Sequence, residues 1–192
     1  MIWKVLGLLL AFSTAPQQSP EQTPPTSCGL SSLSACRTTN NLVWDTGFGQ
    51  ALGRFLGERQ AAYLWERGSV RDQARAVLGG PPDAPIIVEN LYRFTACRLH
   101  SCPEKGAVFL TSSGEIMAVA ILHSTCATAP RPAHCAETMR LAVYLDPDAD
   151  RTLIVGDLSH WAEDALARLH TFAGLAPPTL EGVDVLTAGS SN

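Results

Sequence analysis

The sequence predicts an α+β fold: an antiparallel sheet of about five strands, flanked by helices, with a protruding loop closed by a disulfide. Three observations carry that expectation. Helical periodicity lies near both ends of the folded region, short β-rich runs fill the middle, and Cys97 and Cys102 stand where two of those runs meet. With 192 residues, 46% hydrophobic and 17% charged, the chain can build one packed domain plus flanking segments.

Residues 1–15, MIWKVLGLLLAFSTA, read as an export signal. Lys4 supplies the positive end, and the apolar run Val5 to Phe12 is too short to span a bilayer. Residues 16–41 begin with PQQSPEQTPPTS and are expected to form a flexible tether, which puts the start of the domain at Leu42 and its end at residue 174. Phe48, Ala51, Leu52, Phe55 and Leu56 recur at helical spacing after Asp45 and Thr46, either of which suits an N-cap. Val70, Ala74, Val77 and Leu78 fit a second helical face, stopped by Gly79-Gly80-Pro81-Pro82.

Five strands are expected at 86–88, 91–96, 107–111, 116–122 and 139–145. Ser112-Ser113-Gly114-Glu115 makes a hairpin between two of them, and Glu104-Lys105-Gly106 reads as a turn. Thr152 to Val155 reads as a further strand. Ser159 then caps a helix to Phe172, with Trp161, Ala165 and Leu169 near one face. Residues 175–192 read as a loosely ordered tail.

The six cysteines fall into three sequence-local pairs, Cys28 with Cys36, Cys97 with Cys102, and Cys126 with Cys135. Pairing of this kind points to an oxidising compartment such as the bacterial periplasm. The formal charge of −4 argues against a nucleic-acid partner and favours encounter with a cationic protein. No stable membrane insertion is expected once the signal is removed.

Cys97 and Cys102 enclose Arg98, Leu99, His100 and Ser101. Joined, they form a ring too small to have an interior, so its side chains, the guanidinium and imidazole included, are expected to point outward. Closing so short a loop stabilises by about 2 kcal/mol on the chain-entropy model. A pre-shaped basic knob loses little freedom on binding and suits an acidic cleft.

Other chemistries find weaker support. There is no G-x-S-x-G elbow and no phosphate-binding glycine loop. The histidines at 100, 123, 134, 160 and 170 are scattered. Zinc held by Cys97, His100 and Cys102 with Cys126, His134 and Cys135 matches no common spacing. Asp146, Asp148, Asp150 and Asp157 resemble a calcium loop, except that Arg151 stands where the sharp turn needs glycine. Thiol redox motifs favour two intervening residues rather than four. No catalytic residue, metal or cofactor is therefore expected.

The stretch Tyr92-Arg93-Phe94-Thr95-Ala96-Cys97-Arg98-Leu99-His100-Ser101-Cys102 resembles the hallmark segment of the inhibitor of vertebrate lysozyme family, often called Ivy. That family carries a Cys-Lys-Pro-His-Asp/Asn-Cys loop after a strand bearing Tyr and Ala. The resemblance extends to Phe48, to Trp65 followed by Gly68, to Gly79-Gly80, and to Ala107-Val108 and Met117, covering roughly residues 44–122. It implies a periplasmic inhibitor of c-type lysozyme or a related muramidase, with no catalysis of its own. The loop would enter the enzyme cleft and His100 would meet the catalytic carboxylates. Arg98 takes the family's lysine position, Leu99 its proline and Ser101 its acidic or amide residue. An immunity or binding protein against another peptidoglycan hydrolase keeps the same fold with a different target, and a homodimer is left open.

Overall fold

The computed structural model describes residues 27–124, 138–173 and 177–189. Two layers of helix enclose a central sheet. Short helix α1 (Thr39–Val43), α2 (Thr46–Leu56) and α3 (Val70–Leu78) cover one face, and the long helix α4 (Arg151–Ala173) covers the other. A small hairpin, β1 (Gln60–Ala61) with β2 (Gly68–Ser69), joins α2 to α3. The main sheet runs in simple chain order through β3 (Ile86–Val88), β4 (Leu91–Arg98), β5 (Ser101–Leu110), β6 (Ile116–Ser124), β7 (Thr138–Leu145) and β8 (Thr179–Thr187).

The α+β class holds, with corrections in detail. The sheet has six strands rather than about five, and it is mixed. β3 to β7 pair antiparallel, whereas β8 runs parallel to β7. Parallel neighbours need a crossover, and α4 supplies it between β7 and β8. The segment expected to be a tail after Pro178 is thus an edge strand. Leu180, Val183 and Val185 pack toward α4, while Asp184 faces the opposite way and is exposed.

The predicted strand at Thr152 to Val155 is the first turn of α4. Asp150 caps that helix: its carboxylate accepts from the Leu153 amide at 3.0 Å and its carbonyl from the Ile154 amide at 3.0 Å. Ser159 is not a cap. Its hydroxyl donates to the Val155 carbonyl one turn back, at 2.7 Å. Ile154, Leu158, Trp161, Ala162, Ala165 and Leu166 form the buried stripe, and this face overrides the strand preference of the β-branched run.

The domain also begins earlier than Leu42. Cys28 and Cys36 are joined, Leu33 and Cys36 are buried, and the Thr39 hydroxyl donates to the Thr95 carbonyl at 2.7 Å. The part of the expected tether from Cys28 onward is therefore folded. Residues 1–15, the rest of the tether, and Cys126, His134 and Cys135 lie outside the described residues.

Packing on both faces makes the inner strands almost wholly apolar. Phe94, Val108, Val119 and Ile121 meet α1–α3, and Phe109, Ala120, Leu141 and Val143 meet α4. The predicted Glu104-Lys105-Gly106 turn is the continuation of β5. Gly106 fits because a Cβ there would lie 2.5 Å from Val77 of α3, so its bare backbone lets the helix sit on the strand.

Candidate functional site

The ring forms the tip of the β4–β5 hairpin. Cys97 and Cys102 are joined, Arg98 pairs with Ser101, and Leu99 and His100 are the two turn residues between them. The register shifts between Cys97 and Arg98, so the tip is twisted relative to the strands below. His100 has φ 65°, a left-handed conformation that costs a non-glycine residue roughly 1 kcal/mol. Glycine would be less strained there, yet the apex presents an imidazole. Leu99 and His100 are both exposed.

A second segment props the root of the ring. α3 ends at Leu78, and the chain turns at Gly79-Gly80 so that Gly80 lies flat against the hairpin. A Cβ on Gly80 would meet the Cys97 carbonyl oxygen at 2.1 Å and the Leu99 amide nitrogen at 2.7 Å. The Cys97 amide then donates to the Pro81 carbonyl at 3.0 Å, and the Asp83 amide to the Thr95 carbonyl at 3.0 Å. Pro81 suits this edge because only its carbonyl is used.

Arg98 departs from expectation. Its guanidinium does not point away from the ring. Nη1 donates to Oε2 of Glu104 at 2.6 Å, and the group lies 5.7 Å from the centre of the Trp65 ring. Glu104 is only 3% exposed, so this is a charge-assisted bond shielded from water, strengthened by the aromatic face. The turn that carries Trp65 is tied down by Gln73, a fully buried side chain. Its carbonyl oxygen accepts from the Tyr63 and Leu64 amides at 3.0 and 2.8 Å. Its amide nitrogen donates to the Ala61 and Gly68 carbonyls at 2.8 and 3.0 Å.

Glu104, Trp65 and Gln73 are the site residues that sequence reading missed. The available signal was the alternation along β5, which puts Glu104 on the same face as Val108. The six ring residues stay together, with Leu99 and His100 outward and Arg98 turned back.

Behind the tip, on the same sheet face, the His123 ring packs against that of Tyr63 at a 44° tilt with ring centres 4.6 Å apart, and its Nδ1 lies 2.9 Å from the Ser124 carbonyl. The Tyr63 and Tyr144 hydroxyls meet at 2.8 Å, and burial pushes both phenols above their ordinary range. Burial also holds the His123 imidazole below its ordinary value of 6.5, against the opposing pull of the Ser124 carbonyl. The unfolded chain then takes up this proton at higher pH than the folded one. Stability contributed here is present above 6.5 and falls as the pH drops through that value, levelling off below the folded value. Urea melts should show wild type losing more stability than His123→Phe between about pH 7.5 and about pH 5.

Among the described residues the alternative clusters do not assemble. Cys97 and Cys102 are bonded to each other. Asp146 accepts from the Asp148 amide, Asp150 caps α4, and Asp157 of α4 pairs with Arg93 of β4, so the calcium-like carboxylates are engaged separately. Among the described residues no group of three His, Cys, Asp or Glu side chains is placed to hold a metal ion, and no helix is long and apolar enough to cross a membrane. No protein-family model, curated protein or solved structure matches the chain.

Proposed function

We propose that this protein is an exported inhibitor of lysozyme-type peptidoglycan hydrolases, using the Cys97–Cys102 hairpin tip as a wedge and performing no catalysis itself. One observation carries the reading: a disulfide-closed turn, braced at its root by Gly80, holds an exposed imidazole at its apex in a conformation that glycine would adopt more cheaply. The likeness of residues 92–102 to the hallmark segment of the inhibitor of vertebrate lysozyme family supports it.

The chemistry is coherent. A lysozyme cleaves between two carboxyl groups. An imidazole delivered between them would bond to both and occupy the space of the sugar. Such bonds are charge-assisted and gain strength where water is shut out. The braced ring loses little freedom on docking. The acidic chain, at −4, would draw in a cationic lysozyme, and salt would slow the approach. The two disulfides among the described residues and the signal-like residues 1–15 support a periplasmic location.

The test is inhibition of cell-wall lysis by a c-type lysozyme, titrated with the oxidised protein. Near-stoichiometric inhibition is expected. His100→Ala should weaken it by about 30-fold or more, the loss typical of removing one partner from a buried charged hydrogen bond. Equal potency of His100→Ala would remove the imidazole from the mechanism. Absence of inhibition across host and bacterial muramidases would reject the proposed function.

A further inference from the structure

We infer that Leu99 is the specificity-determining contact of the wedge, and that its partner is a muramidase cleft with an apolar wall beside the carboxylates. The inference rests on the function proposed above and defines the chemistry of the target.

Leu99 is 59% exposed, and it is the large exposed hydrophobic residue that lies within the ring. Its direction is imposed from behind. Gly80 packs against its backbone amide, the Cys97 amide is tied to Pro81, and the disulfide closes the far side. The side chain therefore stands in water in the free protein, although a polar residue would suit a solvated two-residue turn better.

The neighbouring guanidinium sharpens the assignment. Arg98 is committed to Glu104 and Trp65. Its charge is largely spent within the protein, so the tip offers a partner one isobutyl group and one imidazole, adjacent in sequence. A cleft lined only by carboxylates would satisfy the imidazole and bury the leucine against charge, at a desolvation penalty. A carbohydrate cleft avoids this when a wall that receives the apolar face of a sugar ring flanks the catalytic pair. Leu99 would fill that wall subsite while His100 meets the carboxylates. Muramidases that differ in the wall would then be told apart by Leu99, and His100 would serve them all alike.

The experiment measures inhibition constants of wild type, Leu99→Ala and Leu99→Asn against a panel of c-type lysozymes and bacterial muramidases. Both variants should lose about tenfold or more against the best-inhibited enzyme, the loss expected for a buried leucine side chain. Leu99→Asn should lose it despite its similar volume. The ratio of inhibition between panel members should shrink, whereas His100→Ala should weaken all members together. Thermal midpoints of both variants should match wild type, because the side chain is exposed. Equal inhibition by wild type and Leu99→Ala on every susceptible enzyme would overturn this inference alone. A wild-type protein that inhibits none of the panel would overturn it together with the proposed function.

Discussion

Gly80→Ala is expected to destabilise the protein by about 3 kcal/mol, at the upper end of what overpacking usually costs. The added methyl would lie 2.1 Å from the Cys97 carbonyl oxygen, 2.7 Å from the Leu99 amide and 3.0 Å from the Arg98 carbonyl carbon. All three are backbone atoms, so no side chain can swing aside to relieve the clash. Either the hairpin tip or the turn after α3 must move, and the Cys97–Pro81 hydrogen bond is lost with it. Chemical denaturation measures the stability. Inhibition should weaken in the same variant, because the ring loses its support. Gly156→Ala in α4 is the matched control. Nothing lies within 4 Å of a Cβ there, and the change should stabilise by up to about 1 kcal/mol through helix propensity alone. A Gly80→Ala protein as stable as wild type would mean that the prop is not in contact with the ring.

Arg98→Met should lose about 3 kcal/mol, and more than Glu104→Gln, because it takes the guanidinium away from the more deeply buried member of a shielded ion pair. The asymmetry follows from exposure. The Glu104 side chain is 3% exposed and the Arg98 side chain 30%. A guanidinium without its carboxylate still reaches water and still rests on Trp65. The carboxylate is the member of the pair that is held out of water. The double variant Arg98→Met/Glu104→Met should recover much of the loss, giving a coupling energy of at least about 1 kcal/mol in a double-mutant cycle. Additive effects would show that the pair contributes nothing beyond its separate members.

Much of the fold was legible because its information is local. The inner strands at 91–96, 107–111, 116–122 and 139–145 carry apolar runs bounded by turn residues, and each lies within an observed strand or overlaps it closely. The helix after Asp45 has a capping carboxylate, which accepts from the Phe48 amide at 2.8 Å, and an apolar stripe of the right period. The misreadings have a common physical cause. Thr152 to Val155 looks like a strand until its Ile154 is placed against the sheet. Thr179 to Thr187 looks like a tail until β7, reached only through α4, offers it a parallel edge. Glu104-Lys105-Gly106 looks like a turn until α3 supplies the Val77 and Leu78 side chains that need a glycine beneath them. Each depends on a partner distant in sequence, which local pattern cannot see.

The candidate site divides along the same line. Sequence by itself pointed to the ring: two cysteines enclosing four residues, once joined, form a loop with no interior, from which all the side chains are expected outward, and Leu99 and His100 follow that expectation. Tertiary structure decided what the ring presents. Trp65 comes from the turn between β1 and β2 and Glu104 from β5 just beyond the ring, and together they draw the Arg98 guanidinium back from the tip. A carboxylate removed from water on the same sheet face attracts the guanidinium more strongly than solvent does, and that burial exists only once α3 and the sheet have packed.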